Sequence, residues 1–386
     1  MINNSMKKIT YQYRLQVKKS KEATLSAILE KCRLVYNKVL DTRKTAWETE
    51  KKSMTLFDCN NLIKTWEFEG VHSQVLQDVS ARVDTAFKGF FRRLKTKGEK
   101  AGYPRFKGYG RYDSITYPQT GFKVKEGGKK LYLSKVGDVK IVKHRKMEGK
   151  VKTCTIKRNG LGQWFVCFSC EVEDVKVTDN NPKAIGIDVG CKDFAVCSDG
   201  VVVEHPHFYK QSETKLKAIQ SKYSELKQLP KENKKKLKLK RQLIKQHLKV
   251  KNQRKDFLHK VSCKLVKENG IICVEKLNIK KMTEDNWKSL NKSILDGGWY
   301  NFKQMLTYKA EWAGKRVVEV NPTYTSQVCS KCGATVKKEL SDRIHKCDTC
   351  GLEIGRDLNA AKNILRVGMD SLSNRKDTLE AAKSLV

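Results

Sequence analysis

The chain has 386 residues, in which 80 Lys or Arg face 42 Asp or Glu and give a formal net charge of +38. The length allows two or three domains, and a hydrophobic content of 39% excludes an intrinsically disordered chain. So much positive charge calls for a polyanion. Nucleic acid is favoured over an acidic membrane surface, because Lys and Arg that neutralise phosphates release counterions. No apolar run approaches the roughly 20 residues of a membrane span, and the first residues lack the apolar stretch of a secretion signal, so we expect a cytoplasmic, nucleoid-associated protein without a membrane partner.

The front half of the sequence predicts a strand, two amphipathic helices and a series of strands. The strand is predicted over 7–17, the helices over 21–40 and about 72–97, and the later strands from about 113 to 176. Apolar residues at helical spacing predict the core-facing stripes of the two helices. These residues are Leu25, Ile28, Leu29, Cys32, Val35, Tyr36 and Val39 in the first helix, and Val75, Val79, Val83, Phe87, Phe90 and Leu94 in the second.

After Pro182 the pattern changes to strands that alternate with helices. The predicted elements are strands over 184–188 and 271–275 that each end in an acid, a hairpin over 194–204, a helical pair over 210–229 and 233–268, a helix over 299–313, a strand over 316–320 and a helix over 356–364. Residues after about 368 carry no clear fold signal, and we expect a disordered tail there.

Four of the thirteen cysteines have the spacing of a metal site. Cys329 and Cys332 form one C-x-x-C pair, Cys347 and Cys350 form a second, and a glycine follows each pair. Two such turns supply four thiolates for tetrahedral Zn²⁺, as in a zinc ribbon. A closed site of four thiolates leaves no open position for a substrate, so the predicted role of the zinc is structural.

Three acids lie on elements whose type and order suit an RNase H-like fold, a mixed sheet with helices on its faces. In that fold, acids on the first strand, a later central strand and the last helix converge at one end of the sheet, and Asp188, Glu275 and Asp357 occupy these places. Three carboxylates without a cation would repel one another. Two Mg²⁺ ions would relieve the repulsion and catalyse hydrolysis of a phosphodiester. Each acid alone is more simply explained as a solvated strand end or a helix cap, so the hypothesis depends on their joint placement.

Two basic segments are candidates for nucleic-acid binding. Residues 88–111 contain nine Lys or Arg and one acid, interleaved with aromatic residues, and residues 231–260 contain thirteen Lys or Arg and two acids. Basic side chains can follow a phosphate backbone while aromatic rings stack on unpaired bases; a solvated charged face is the simpler alternative for either segment. The candidate contacts in the first segment are Lys88, Arg92, Arg93, Tyr103, Arg105 and Lys107.

Several motifs together resemble the TnpB (OrfB) family of transposon-encoded nucleases, which is related to type V CRISPR effectors. Residues 186–190 (Gly-Ile-Asp-Val-Gly), 274–277 (Val-Glu-Lys-Leu) and 356–361 (Arg-Asp-Leu-Asn-Ala-Ala) are similar to the three split RuvC motifs of that family. The cysteine ribbon lies between the second and third motifs, as it does there. The likeness also includes residues 86–93 and 102–107 and spans about 7–367, nearly the whole chain.

The resemblance implies an RNA-guided DNA endonuclease. Such an enzyme binds a guide RNA from its transposon's end, recognises a short motif beside the target, and cuts both strands of double-stranded DNA with one Mg²⁺-dependent RuvC site, with Asp188, Glu275 and Asp357 as the catalytic acids. We expect it to act as a monomer in the complex. Arg343 matches a basic position beside the family's active site and is equally explained as a surface residue of the ribbon. Gln74 and Gln77 lie near the family's motif readers and could contact a base edge, or they could be two exposed polar residues.

The resemblance also implies a multidomain architecture of α/β and β-barrel type. The predicted parts are an oligonucleotide-binding-like β-barrel or wedge domain (1–18 and 105–180), a helical recognition domain that interrupts it (19–104), an RNase H-like RuvC nuclease domain (181–324 and 353–367), an inserted zinc ribbon that binds target nucleic acid (325–352), and the tail (368–386).

Three other functions remain open at this stage. An RNA-guided repressor would hold DNA without cutting it and would not need three acids. A compact type V CRISPR effector would use the same chemistry with a guide from a CRISPR array. A DNA-strand transposase would have to join ends as well as cut them, and the sequence has no motif for strand transfer.

Overall fold

The computed structural model divides the chain into two compact units, residues 1–175 and 176–386. It describes residues 6–96, 98, 100–173, 181–230, 232–284, 287–339 and 342–383, with side chains up to residue 374. None of the helices in these ranges combines the length and apolar character that crossing a bilayer requires. The finer division into wedge, recognition, nuclease and ribbon domains stays a prediction, and its boundary at residue 180 lies outside the described residues.

The first unit combines three helices with an antiparallel sheet. The elements are β1 (Met6–Gln16), α1 (Lys19–Glu50), α2 (Leu56–Lys64), α3 (Ser73–Lys95), β2 (Ser114–Tyr117), β3 (Phe122–Lys125), β4 (Lys130–Leu133), β5 (Gly137–Val142), β6 (Lys150–Arg158) and β7 (Trp164–Glu173). Within the described residues the strands pair in the order β2-β6-β7-β1-β5-β4-β3. Because β1 pairs with both β5 and β7, the three helices are inserted between the first strand and the rest of its sheet.

The helices of the first unit confirm most of the predicted core. Every predicted apolar position of α1 is buried, and this helix continues to Glu50. In α3 the buried stripe ends at Phe87, and the prediction is wrong at Leu94, which is 58% exposed. Apolar periodicity identifies one face of a helix, but it does not show where the neighbouring element ends. The short helix α2 was not predicted, although Thr55 and Asp58 form a capping box at its start.

The second unit is built on a mixed sheet with helices on both faces. Its strands are β8 (Ala184–Val189), β9 (Asp193–Cys197), β10 (Val202–Glu204), β11 (Ile271–Glu275), β12 (Arg316–Val320), β13 (Ile344–Lys346) and β14 (Glu353–Gly355), and its helices are α4 (Phe208–Glu225), α5 (Lys234–Glu268), α6 (Ile279–Glu284), α7 (Lys288–Gly297), α8 (Trp299–Trp312) and α9 (Arg356–Lys383). In the part of the chain that the structure describes, the main sheet has the order β10-β9-β8-β11-β12. Strand β11 runs parallel to β8 and β12, and β9 runs antiparallel to β8, as the sequence predicts for a mixed sheet.

Alternate residues of the central strands face different helices. Ile272 and Val274 belong to the same hydrophobic cluster as residues of α5 and α8. Cys273 belongs instead to a small cluster with Val320 and Ile364 of α9. Since successive side chains of a strand point to opposite faces, α9 covers the face of the sheet opposite to α5 and α8.

The final helix contradicts the prediction of a disordered tail. Helix α9 continues from Arg356 to Lys383, well past residue 368. Gly368 is buried, so the helix still packs on the sheet where order was expected to end. The packing comes from tertiary contacts that the local pattern does not reveal. Residues 384–386 lie outside the described residues.

Candidate active site

The first two acids lie side by side at one edge of the sheet. The parallel strands β8 and β11 are paired from Ala184 opposite Ile271 to Ile187 opposite Val274. The next residue along each strand is an acid, Asp188 on β8 and Glu275 on β11. Neighbouring strands are about 4.8 Å apart, so this register places the two acids next to each other. Side chains alternate between the two faces of a sheet along each strand. Glu275 therefore points to the same face as Cys273, which packs on α9, and Asp188 beside it points to that face too.

The third acid is brought to the same place by close packing of α9 on β8. At Gly186 a Cβ atom would lie 2.7 Å from the backbone nitrogen of Leu365 and still nearer to the carbonyl oxygen of Ala361. Asp188 follows Gly186 by two residues, and Asp357 precedes Ala361 by one helical turn. The glycine therefore lets the helix lie directly on the strand, with its first turn beside the carboxyl end of β8.

Replacing Gly186 with alanine should disturb this packing. We expect a loss of about 1–3 kcal/mol of stability from the added methyl group, together with slower DNA cleavage, because α9 must move away from β8 and carry Asp357 with it. Thermal denaturation and cleavage rates of the same preparation would measure both effects. Gly355→Ala is a matched control, since an added Cβ there meets no atom within 4 Å. Equal behaviour of the two variants would contradict the proposed role of Gly186.

The three acids influence one another electrostatically. Burial raises the pKa of Asp188 well above its usual range, and the negative charges of Glu275 and Asp357 raise it further, against the opposing effect of Arg356. Burial also raises the pKa of Glu275, and a hydrogen bond from Thr325 acts in the opposite direction. Carboxylates that are desolvated and repel one another favour a bound proton or cation, so these acids are candidate ligands for metal ions.

A buried threonine holds one of the acids. The hydroxyl group of Thr325 donates a hydrogen bond to Oε1 of Glu275 at 2.6 Å, and Thr325 is 7% exposed. The contact joins residues 50 positions apart in the sequence, and nothing in the sequence pattern indicated it. Outer partners of this kind orient ligating carboxylates in metal sites.

Loss of the threonine hydroxyl should weaken metal binding. We expect Thr325→Val to lower cleavage about 10- to 100-fold, the usual effect of losing such a partner, and to raise the Mg²⁺ concentration needed for half-maximal cleavage. A Mg²⁺ titration of the initial cleavage rate would measure both. Thr325→Ser retains the hydroxyl group and should remain close to wild type. If the valine and serine variants lost activity equally, the hydrogen bond to Glu275 would not be the cause.

Two buried asparagines of α9 fasten the loop that carries Thr325. Asn363 donates from Nδ2 to the carbonyl oxygens of Thr325 at 2.9 Å and Val328 at 2.6 Å. Asn359 donates to the same oxygen of Val328 at 2.8 Å and accepts a hydrogen bond from the Ser330 backbone nitrogen at 2.9 Å. The sequence holds a signal that we missed, because Asn359 and Asn363 are one turn apart on the helix that begins with Asp357.

The four predicted cysteines come together in a single cluster. The ligand atoms of Cys329, Cys332, Cys347 and Cys350 all lie within 4.8 Å of one another, and among the described residues this is the one group of three or more Cys, His, Asp or Glu side chains drawn together in this way. The Sγ–Sγ distances are 3.6 Å between Cys329 and Cys350 and 3.5 Å between Cys332 and Cys347. Thiolates placed about 2.3 Å from a tetrahedral zinc ion would be about 3.8 Å apart, so the cluster fits Zn²⁺.

Tight backbone turns surround the sulfur atoms of this cluster. Gly333 and Gly351, each following a cysteine pair, have φ angles of 80° and 68°, a region that glycine adopts without strain. Burial raises the pKa of Cys347, but hydrogen bonds to its sulfur, from the Cys350 and Thr349 backbone N–H groups and from Cys332, outweigh it and lower the pKa to about 6. The thiolate form that a metal requires is therefore favoured at Cys347. At Cys350 a hydrogen bond from the Leu352 backbone lowers the pKa, but burial and the three neighbouring sulfur atoms outweigh it and raise the pKa to about 12. In contrast to the four sulfur atoms, the carboxylate oxygens of Asp188, Glu275 and Asp357 do not all lie within 4.8 Å of one another.

Models of known families match most of the chain. Residues 6–52 match a family described as "Helix-turn-helix domain", residues 167–286 match "Probable transposase", and residues 299–364 match "Cas12f1-like, TNB domain". The last match includes all four cysteines. In the structure, residues 6–52 contain the strand β1 and the single long helix α1.

Comparison with known proteins decides the family. The protein named "Putative RNA-guided DNA endonuclease InsQ" from Escherichia coli strain K12 is 30% identical over 379 residues, which cover 93% of this chain and 92% of the relative. The chain belongs to the TnpB (OrfB) family. A "Putative RNA-guided DNA endonuclease" from Streptomyces pristinaespiralis is 28% identical over 376 residues, which cover 94% of this TnpB-family chain and 90% of the relative.

A solved structure shares the fold of the TnpB-family chain. It is the cryo-EM structure of a Cas12f1-sgRNA-target DNA complex, with a TM-score of 0.58 and 19% sequence identity, covering 90% of this chain and 83% of that one. At this level of identity the likeness concerns the fold alone.

Arg343 lies beside the start of helix α9 in the TnpB-family chain. Its carbonyl oxygen accepts a hydrogen bond from the Arg356 backbone nitrogen at 2.9 Å, and its side chain belongs to an exposed residue. Arg356 donates from Nη1 to the carbonyl oxygens of Glu339 at 3.0 Å and Asp342 at 3.3 Å. Because Arg343 is hydrogen-bonded to Arg356, it lies near the next residue, Asp357. Its role in phosphate binding stays a prediction.

The candidate glutamines differ in their surroundings. Oε1 of Gln74 accepts a hydrogen bond from the Thr120 backbone nitrogen at 2.8 Å, so this side chain connects α3 to the loop before β3. Gln77 is exposed. Of the two, Gln77 is the one whose surroundings suit contact with a base edge, and that contact stays a prediction.

The candidates around residues 88–107 combine structural and exposed positions. Lys88 forms an ion pair with Asp84 at 2.8 Å, and the Lys107 backbone nitrogen donates to Oδ1 of Asn37 at 2.7 Å. The others are Arg92, Arg105 and Tyr103, which are exposed, and Arg93, which is half-buried and donates to the carbonyl oxygen of Gly102 at 3.4 Å. Lys97 and Glu99 of this segment lie outside the described residues.

The second basic segment forms most of helix α5. Nearly all of its described Lys and Arg residues are exposed along the helix, as a phosphate-binding surface requires. Arg254 is an exception, since its Nη2 atom lies 2.5 Å from Oδ1 of the buried Asp296, and it therefore connects α5 to α7. Lys231 lies outside the described residues.

Proposed function

We propose that the chain is an RNA-guided DNA endonuclease with a RuvC-type active site. The observation that carries the proposal is the meeting of Asp188, Glu275 and Asp357, from two parallel strands and one helix, at a single edge of the mixed sheet. This strand order and this placement of acids fit the RNase H-like fold. A protein that only held DNA would gain nothing from three repelling carboxylates, so the cluster favours a nuclease over a repressor.

The relatives support the same function. Two proteins that match almost the whole chain are named RNA-guided DNA endonucleases, and the related fold was solved with guide RNA and target DNA bound. The strongly positive chain, with a formal net charge of +38, provides the electrostatic attraction that both nucleic acids need.

The three acids would hold a pair of Mg²⁺ ions. Bound there, the ions would activate a water molecule and stabilise the leaving oxygen of the phosphodiester. Asp188, Glu275 and Asp357 supply the hard oxygen ligands that Mg²⁺ prefers, and Thr325 keeps the Glu275 carboxylate in one orientation. Arg343, beside the first turn of α9, would offset the charge that develops on the phosphate.

The remaining parts would hold the guide and the target. The sheet that includes β1 and β7 would form the oligonucleotide-binding-like wedge barrel, interrupted by the recognition helices α1 to α3. A guide RNA from the transposon's end would pair with one DNA strand while the protein reads a short motif beside the target. The zinc ribbon would contact target nucleic acid, and one protein chain would act in each complex, in the cytoplasm at the nucleoid.

The test begins with the RNA that copurifies with the protein. Sequencing it should reveal one discrete structured RNA, and its source in the genome would distinguish a transposon end from a CRISPR array. The complex, with a guide altered to match a plasmid, should then cut that plasmid in Mg²⁺. It should leave a mismatched plasmid intact and should be inactive in excess EDTA.

The possible failures separate the other functions. Guide-dependent binding of DNA without any cutting would support the repressor. Joined DNA ends without a guide requirement would support a transposase, the activity in the description of one matching family. A discrete RNA together with guide-matched cleavage would exclude both.

A further inference from the structure

A cluster of aromatic side chains in the first unit has no part in the active site. Trp47 near the end of α1, together with Phe87, Phe90, Phe91 and Tyr103, lines a cavity of about 280 Å³. We call it the aromatic pocket. All its residues belong to the first unit, so it is complete without any other part of the chain.

The aromatic pocket is open to solvent and already ordered. Trp47 is 54% exposed, Phe91 51% and Tyr103 44%, a large apolar surface for a chain of this charge. The Tyr103 ring lies edge-on to Phe87 and Phe90, with centroid distances of 5.5 and 5.3 Å. These ring contacts hold Phe87, Phe90 and Tyr103 in place, so a flat ligand could bind against them with little loss of their side-chain freedom.

The charges around the aromatic pocket favour an anionic ligand. Arg43 and Lys52 line it, and Lys52 is held over the end of α1 by a hydrogen bond from its backbone nitrogen to the Ala46 carbonyl oxygen at 3.1 Å. The last turn of α3 beside it carries the basic residues Arg92, Arg93 and Lys95. The nearby acids are partly neutralised, since Asp84 pairs with Arg43 at 3.1 Å and Glu48 pairs with Lys44 at 3.6 Å.

The lining suits stacking rather than the reading of a base edge. Besides the aromatic rings and Met54, it contains Ser53 and the two cations, and Arg43 is engaged with Asp84 while its guanidinium group lies 4.3 Å from the centre of the Phe87 ring. Aromatic rings bind any base through its flat face, whereas discrimination needs several fixed hydrogen-bonding groups. A flat, anionic ligand that the pocket need not identify is an unpaired nucleotide.

We infer that the aromatic pocket binds an unpaired base of the guide RNA, with Lys52 and the end of α3 contacting the adjoining phosphates. The inference rests on the proposed function, since it requires a guide. RNA is favoured over DNA because structured RNAs present unpaired loop and bulge bases before any target is bound, and proteins hold such bases by stacking on aromatic side chains. Unpaired DNA bases arise only later, when the guide pairs with one strand and displaces the other.

The experiment compares variants of the full-length protein in binding to the copurifying RNA, synthesised and labelled. Trp47→Ala should weaken RNA binding about 5- to 100-fold, as expected for the loss of one stacked base, and Trp47→Phe should recover most of it. Phe57→Ala is the matched control, because Phe57 is a 71% exposed aromatic residue of the same unit that does not line the pocket. Phe91→Ala provides a second test if the Trp47 variant folds poorly.

Two further readouts separate stacking from general attraction. The dependence of RNA affinity on salt should keep its slope in Trp47→Ala and should become shallower by about one counterion in Lys52→Ala. Ultraviolet crosslinking of the assembled complex should attach RNA nucleotides to peptides that contain Trp47, Phe91 or Tyr103. Wild-type affinity in both Trp47→Ala and Phe91→Ala, or crosslinks from these peptides to the DNA strands alone, would overturn the inference. A wild-type protein that bound no RNA at all would instead refute the proposed function.

Discussion

Asp188→Asn should lower guide-directed DNA cleavage by about a thousandfold or more and leave binding of guide and target unchanged. Asparagine has the shape of aspartate but lacks the negative charge that holds a metal ion, and metal ions contribute several kcal/mol of charge stabilisation to such reactions. The same change removes an acid whose ionised form is destabilised by burial and by the negative charges of Glu275 and Asp357. We therefore also expect the Mg²⁺-free variant to melt at a higher temperature than the wild type, and Mg²⁺ to stabilise the variant less.

Cleavage of a matched plasmid, binding of the same DNA and thermal melting with and without Mg²⁺ would measure the three effects. Asp199→Asn is a suitable control, because Asp199 lies in the exposed turn between β9 and β10 and asparagine can still accept the hydrogen bond that Oδ1 of Asp199 receives from the Val201 backbone nitrogen. Cleavage by Asp188→Asn at the wild-type rate would show that the active site lies elsewhere.

The strands and the acids could be predicted because local pattern determines them. The two strands that carry Asp188 and Glu275 are short apolar runs, and each of them ends in an acid. In parallel strands of one sheet, such ends lie at the same edge. The meeting of the two acids was predicted from the order of strands and helices, which suits an RNase H-like fold, and the pairing of β8 with β11 brings them together.

The supporting contacts could not be predicted in this way. The bond from Thr325 to Glu275 joins a loop to a strand, and its geometry depends on how α9 packs on the sheet. The same packing explains the order of α9 beyond residue 368, where Gly368 is buried although the local sequence shows no apolar stripe. The insertion of α1 to α3 within one sheet came from the family resemblance, since no local signal tells β1 which later strand it will pair with.

The second large effect is expected at the zinc site, in Cys347→Ser. Structural zinc sites contribute about 10–16 kcal/mol of binding free energy, so loss of one thiolate should release the ion and unfold the ribbon locally. The damage should extend to the active site, because the residues on either side of Cys329 are hydrogen-bonded to α9. Asn359 and Asn363 bind the Val328 carbonyl oxygen, and Asn359 also binds the Ser330 nitrogen.

If the ribbon unfolds, the loop of residues 325–330 should move away from α9. Glu275 should then lose its hydrogen bond from Thr325. Metal analysis should show loss of zinc, hydrogen exchange should rise in residues 325–330 and 271–277, and cleavage should fall even at DNA concentrations that saturate binding. Cys263→Ser, the same substitution at an exposed cysteine outside the cluster, should change none of these. Faster exchange confined to 329–352, with normal cleavage of bound DNA, would mean that the ribbon only binds nucleic acid and that the asparagines hold the active site without help from the metal.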